Sequence, residues 1–319
     1  VWNSNEAERL ASSSGGFFSL LARHVLEQGG AVFGSVLDDD MAARHVCARS
    51  VEELAPMRGS KYVQSDLGSS FREVKELLEA GTPVLFSGVP CQVAGLKRYL
   101  GKDYPSLLTC DLVCHGVPSP AVFRAYLDNL EAAHGSKVVS VRFKDKSHGW
   151  SHPWFTAEFA DGGVYTEDFN RTGYGRGFGM QLFLRPACAK CRYTSTSRPA
   201  DFTLADYWGL DEKLALPVER DKGVSMVLVN SARGQQVFDA LAGRFGQVER
   251  PLAEAVAGNP RLASPLKANP RRAAFFSAFS ALPFAEVEKR FLALPSLPYR
   301  AAARVLTPAM KEKLRKILK

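Results

Sequence analysis

The chain has 319 residues, 46% hydrophobic and 23% charged, which is enough to bury at least one full core and excludes a disordered, collagenous or coiled-coil protein. Its formal charge is +8, from 41 Lys and Arg against 33 Asp and Glu. Residues 256–319 alone hold 13 basic and 3 acidic side chains, net +10, so residues 1–255 are net −2 and the basic excess does not mark the body as a nucleic-acid binder.

After Ser12-Ser13-Ser14-Gly15-Gly16, apolar residues at helical spacing from Phe17 to Leu26 predict a helix, stopped by Gly29-Gly30, and Ala31 to Leu37 reads as a strand. Ser50 with Glu53, and Ser70 with Glu73, match the capping box that satisfies free amides at a helix start. Strands are expected at 83–87 and 107–113, and helices at 92–100 and from Pro120 to about Ala133. The alternation predicts an α/β lobe with a mixed sheet over residues 1–135. Residues 136–255 read as a β-rich, cysteine-containing lobe: a strand over 138–144, then a hairpin of 155–159 and 164–169 joined through Asp161-Gly162-Gly163. A long irregular loop over 170–222, a strand at 225–229 and a helix from Ser231 to about Phe245 complete it. Residues 256–319 are expected to form a loosely packed, partly helical basic tail, ending in an amphipathic helix with Met310, Leu314, Ile317 and Leu318 on one face. That helix either packs on its own protein or touches an anionic membrane surface or an acidic partner. The overall class is α/β, or α+β taken as a whole.

No stretch reaches the ~18 to 20 consecutive apolar residues that span a bilayer. Six cysteines are too sparse for a disulfide scaffold, and with no export signal visible a reducing cytoplasm is expected. Cys47 and Cys110 lie in apolar segments and read as small buried hydrophobes. Cys91, after Val89-Pro90, and Cys114, before His115-Gly116, each follow a predicted strand of the α/β lobe, where ligands gather. Cys188 and Cys191 form a C-x-x-C. Four thiolates from these segments suit an iron–sulfur cluster or a zinc ion. Ser12 to Gly16 offers hydroxyls and free amides to an anion, or simply caps a helix. Gly59-Ser60-Lys61-Tyr62-Val63-Gln64-Ser65 brings a cation, a phenol and an amide into one segment. Asp206-Tyr207-Trp208-Gly209 pairs a carboxylate with two flat aromatics, fit for a planar ring or for a core Trp with a capping Asp.

These segments, with Ser87-Gly88-Val89-Pro90-Cys91-Gln92, Asp111-Leu112-Val113-Cys114-His115-Gly116 and Leu184-Arg185-Pro186, stand in the order seen in one family. From about Ser12 to about Gly234 the chain resembles the beta subunit of coenzyme F420 hydrogenase and dehydrogenase, a family of iron–sulfur flavoproteins. The resemblance implies FAD and a 4Fe–4S cluster, with electrons moving between them and on to an unidentified small-molecule acceptor. It implies Cys91, Cys114, Cys188 and Cys191 as cluster ligands, and Ser13, Ser14, Gly15, Gly16, Lys61, Tyr62, Ser87, Gly88 and Asp206 as flavin-site residues. Many bacterial relatives carry a ferredoxin-like domain upstream; none precedes Val1 here, so an electron-donor protein such as a ferredoxin, or a missing upstream domain, is the expected partner. The alternative is a non-catalytic module with a structural four-cysteine zinc site and a basic docking tail.

Overall fold

The computed structural model describes residues 1–210 and 216–294. In chain order its elements are β1 (Trp2–Asn3), α1 (Glu6–Leu10), α2 (Phe17–Glu27), β2 (Ala31–Leu37), β3 (Ala43–Ala48), α3 (Ser70–Glu79), β4 (Val84–Ser87), α4 (Pro90–Leu100), β5 (Leu107–Leu112) and α5 (Pro120–His134). These are followed by β6 (Val138–Asp145), β7 (Trp154–Phe159), β8 (Val164–Asp168), α6 (Gly173–Gly179), β9 (Phe202–Asp206), β10 (Ser225–Val229) and α7 (Ala232–Ala240). Last come β11 (Phe245–Gly246), α8 (Leu252–Gly258), α9 (Arg272–Ala281) and α10 (Phe284–Val287), which runs into a π-helical turn, Glu288–Leu292.

A six-stranded sheet of order β10-β9-β5-β4-β2-β3 forms the centre, with β2, β4, β5 and β9 parallel and β3 and β10 antiparallel at its edges. The strand period of two divides its apolar residues between two cores. Val32, Leu85, Leu108 and Phe202 pack under α2, while Phe33, Val84, Phe86 and Leu107 pack under α3 and α4. A separate antiparallel meander, β6-β7-β8, shares the third core with α5, α6 and the C-terminal helices. The mixed α/β class expected from the sequence is observed, and two of the sheet's six strands come from residues 202–229, beyond the expected boundary at residue 135.

Several local expectations need correction. The Ser50–Glu53 box forms, with Glu53 accepting from the Arg49 and Ser50 amides at 2.6 and 3.3 Å, but Pro56 limits the helix it caps to a 3₁₀ turn, Glu52–Met57. At α3 the N-cap is Ser69, whose hydroxyl donates to the Glu73 carboxylate and caps no amide, and Ser70 is buried, so the Ser70–Glu73 box does not form. Residues 170–222 are not a single irregular loop: they contain α6 and the buried strand β9. α7 ends at Ala240, and Phe245 belongs to β11, paired with β1. The described part of the tail is well packed, since Phe275, Val287, Phe291 and Leu292 are buried in the third core. The expected amphipathic helix around Met310 to Leu318 lies outside the described residues.

Candidate functional site

The parallel strands fix where the cysteines go. β4 and β5 are neighbours, so the segments leaving their carboxyl ends emerge side by side, and Cys91 falls in the first turn of α4 while Cys114 follows β5. The C-x-x-C is brought to the same place by backbone pairing. Arg185 N–H donates to the Val117 carbonyl at 2.9 Å, Ser119 N–H to the Phe183 carbonyl at 3.0 Å, and Pro118 bridges Leu184. A 3₁₀ turn, Pro186–Lys190, then carries Cys188, and Cys191 closes it. Beyond it, Arg198 reaches back to the end of β5: its guanidinium donates to Asp111 Oδ1 at 2.9 Å and to the Leu112 and Tyr193 carbonyls, with both charged side chains essentially fully buried. This pins the loop after the C-x-x-C to the strand that precedes Cys114.

Cys91 and Cys114 both have raised pKa values. Burial pushes Cys114 up to about 12; a Gly116 backbone hydrogen bond opposes this, and Cys188, Cys91 and Cys191 add to it. Cys91 is exposed as a whole residue, yet the protein around its thiol raises its pKa and Cys191 and Cys188 raise it further. Among the described residues no group of three or more His, Cys, Asp or Glu is close enough to hold a single metal ion. A lone tetrahedral zinc, with Zn–S bonds of about 2.3 Å, requires sulfurs only ~3.8 Å apart. Four thiols on segments that the fold draws together are a donor set that an iron–sulfur cluster or a zinc ion could take.

A cavity of about 600 Å³ lies between the loop at Ser12-Ser13, the segment Ala55–Lys61 and the outer face of β6. That volume is in the range of ligand pockets. Both parities of residues 139–147 line this space, where the β6–β7 register is irregular between Arg142 and Asp145, and Arg142, Lys144 and Lys146 are among them. Arg58 and Lys61 add two more cations, against a single lining carboxylate, Asp145, which Arg142 binds at 2.9 Å. Lys61 and Lys146 have no carboxylate partner among the described residues. Lys61 donates to the Pro56 and Arg58 carbonyls at 2.6 and 2.9 Å, and Lys146 to those of Arg9, Ser14 and Lys222 at 2.6 to 2.9 Å. Burial pulls both down to about 7; for Lys146 the negative charge of Asp206 works in the opposite direction, while Arg9 and Lys144 work with burial. Both lysines hydrogen-bond only carbonyls directly, so an anion in the cavity would favour their ammonium forms.

The expected flavin-site residues separate into three groups. Ser13 and Lys61 line the cavity. Ser14, Gly15, Gly16, Tyr62 and Asp206 stand behind its wall. Ser14 Oγ donates to the Val224 carbonyl at 2.8 Å, and Gly15 N–H donates to Ser225 Oγ at 2.8 Å so closely that a Cβ there would meet the Ser225 amide at 2.6 Å. Tyr62 is half-buried against Phe143, Phe169 and Phe178, and its hydroxyl hydrogen-bonds Lys144. Asp206 binds Lys144 and accepts from Trp150 Nε1 at 2.9 Å. Burial lowers the Lys144 pKa, but Tyr62 and Asp206 together raise it above its ordinary value. Ser87 and Gly88 lie away from the cavity, at the end of β4 ahead of Cys91: His45 Nε2 lies 3.0 Å from the Ser87 carbonyl, and Gly88 N–H donates to the Cys110 carbonyl.

Arg58, Arg142, Lys144, Lys146 and Trp150 were not expected from the sequence, where charges along a strand look like an ordinary solvated face. Of the Asp206–Gly209 segment, Tyr207 is buried and bonded to Glu254 at 3.0 Å, while Trp208 stacks on Trp150 with centroids 5.2 Å apart and planes at 7°. Lys144 Nζ sits 5.1 Å from the Trp208 ring. His115, next to Cys114, is close enough to feel the charges of Lys144 and Asp206.

No curated protein matches the chain. Among solved structures the fold is similar to a chain of the F420-reducing NiFe hydrogenase complex from Methanosarcina barkeri, with a TM-score of 0.53 and 18% identity, over 84% of this chain and 94% of that one. At that identity the likeness is one of fold. Among the described residues no helix is long and apolar enough to cross a membrane. The family model for the C terminus of the coenzyme F420 hydrogenase/dehydrogenase beta subunit matches residues 81–249, a span of 169 of the 319 residues that takes in all four site cysteines, Lys144, Lys146 and Asp206. On that match, the chain belongs to the coenzyme F420 hydrogenase/dehydrogenase beta subunit family.

Proposed function

We propose that the chain is an electron-transfer oxidoreductase subunit in which Cys91, Cys114, Cys188 and Cys191 hold a 4Fe–4S cluster and the basic cavity holds FAD. What supports this reading is that the neighbouring strands β4 and β5 and the pairing of residues 117–119 with 183–185 draw the Cys91, Cys114 and C-x-x-C segments together, and that Ser13, Arg58, Lys61 and Lys146 line one cavity. A cluster supplies one-electron transfer, and a flavin supplies exchange between one-electron and two-electron chemistry. The residues supply position and charge. Lys61, Lys146 and Arg58 neutralise the pyrophosphate, and Ser13 Oγ, which accepts from the Ser60 amide at 2.6 Å, fixes the loop beside it. Lys144 stays protonated because Tyr62 and Asp206 raise its pKa, and with Asp206 it forms an ion pair at the cavity wall, where it would help hold the flavin. Trp150 and Trp208 exclude water from this pair.

The similar structure comes from a multi-subunit complex, which supports a partner chain that exchanges electrons with the cysteine site, alongside a small-molecule acceptor. Thiolate ligands to a cluster persist in a reducing compartment, which supports the cytoplasm.

Anaerobic reconstitution with iron, sulfide and FAD tests the reading. The expected result is about four irons and about one FAD per chain, with Cys114→Ala losing the iron and Lys61→Gln weakening FAD by about tenfold while keeping the iron. Zinc in place of iron, with no flavin bound, would overturn it in favour of a structural metal module.

A further inference from the structure

A second cavity of about 430 Å³ opens between α6, the start of α9 and the π-helical turn. Three guanidiniums line it, those of Arg176, Arg271 and Arg290, and no carboxylate does. Packing brings them together from distant parts of the chain. α6 lies against the π-helical turn, the Phe275 and Phe291 rings meet edge to face at 5.6 Å, and Asn269 Nδ2 donates to the Met180 carbonyl at 2.6 Å. The sequence keeps acids away: neither 169–200 nor 255–285 contains an Asp or Glu.

The three cations are poorly neutralised. Arg271 and Arg290 sit over the same buried ring, Phe291, at 5.1 and 5.4 Å from its centroid, and neither has a carboxylate partner among the described residues. Arg176 donates through Nη1 to the Arg171 carbonyl, while its Nε is buried without a partner. Glu288 is near enough to Arg176 to interact with it, but it is bound to Asn129 at 3.0 Å and does not line the cavity. Three like charges around one space repel unless an anion joins them. Guanidinium forks match the paired oxygens of a phosphate, and Gly175 and Gly179 leave the wall open for a close approach.

We propose that this cavity binds a phosphate-bearing anion, gripped by Arg176, Arg271 and Arg290. The site is built from different elements than the cavity at Lys61 and Lys146 and does not depend on what that cavity holds. A soluble phosphate ester and an anionic lipid headgroup present the same chemistry, and two arms of one experiment separate them. In the first, calorimetric titration of the full chain with pyrophosphate, at ionic strength matched with NaCl, is compared with the double variant Arg271→Gln/Arg290→Gln, whose altered side chains are exposed. In the second, both proteins are sedimented with phosphatidylglycerol or phosphatidylcholine vesicles. The expected result is pyrophosphate binding that the double variant weakens by about tenfold or more, with the urea unfolding midpoint unchanged, which assigns a soluble ligand. Phosphatidylglycerol-specific sedimentation that the variant abolishes assigns a headgroup. Equal behaviour of the two proteins in both arms overturns the proposal.

Discussion

His45 is buried beneath the turn that carries Cys91, and burial pulls its pKa from 6.5 to about 4. Its bonds explain why the neutral ring belongs there. Nε2–H points at the Ser87 carbonyl, while Nδ1 accepts from Ser65 Oγ at 2.7 Å. Ser65 in turn accepts from Gln92 Nε2 at 3.2 Å, and Gln92 Oε1 accepts from the Val89 amide at 2.9 Å. Protonating Nδ1 breaks this chain at its first link. Because the folded pKa lies below the unfolded one, the unfolded state binds the proton more readily, so the stability is full above about 6.5 and is lost as pH falls toward 4. Between pH 7 and pH 5 the loss is about 2 kcal/mol. Urea unfolding at the two pH values should show it, and His45→Gln should remove that part of the slope; an unchanged slope would show that other groups carry it. Residues of this kind are hidden from sequence reading, since His45 is one histidine in a strand and its partner Ser87 is 42 positions away. The cysteines were legible because thiolate chemistry depends on residue type and spacing. Lys144 and Lys146 were not, because their meaning depends on which cavity their strand faces.

At the scale of elements, Gly116 decides whether the Cys114 segment can lie against the one preceding the C-x-x-C. Its φ is 92°, and a Cβ there would stand 2.6 Å from Leu184 Cδ1 and 2.9 Å from Leu266 Cδ1. Gly116→Ala combines a left-handed backbone penalty of roughly 1 to 2 kcal/mol with overpacking of similar size. The expected outcome is a lower urea midpoint together with reduced iron retention after anaerobic reconstitution, since the same shift moves Cys114 from the C-x-x-C. Normal iron with a lower midpoint would mean that the two segments can separate without disturbing the site. Strands such as β2 and β10 matched the sequence reading to the residue, being apolar runs bounded by turn residues. β9 escaped because it is specified by pairing with β5, about 90 residues earlier, and not by its own flanks. α6 escaped because four of its seven residues are glycine, poor helix formers that are tolerated because side chains at Gly173 and Gly177 would run into Glu288 and Phe183.

For the whole molecule, the charge that looked like one tail divides. Residues 256–294 hold 6 basic and 2 acidic side chains, net +4, on helices whose apolar faces complete the third core, and the other +6 belongs to residues 295–319. The sheet likewise joins what the sequence separated. A chain cut after residue 135 would keep β2 to β5 but lose β9, β10 and α7, exposing the β5 edge through Cys110, Asp111 and Leu112. Phe202 and Leu241 would leave the core beneath α2, and Asp201 would no longer bind Thr109 N–H and Oγ at 2.8 and 2.6 Å. Removing one buried Phe typically costs about 3 to 5 kcal/mol, against a total stability of about 5 to 15 kcal/mol for a domain. Asp111, fully buried, would also lose Arg198, and breaking such a pair by removing one partner costs a further ~3 to 5 kcal/mol. These losses together exceed what residues 1–135 can hold, so the fragment is expected to be unfolded or aggregated by circular dichroism and size exclusion, with the open β5 edge favouring aggregation. If it elutes instead as a compact monomer with cooperative thermal unfolding, residues 1–135 form an independent domain, and β9 and β10 are additions to a sheet that is already stable.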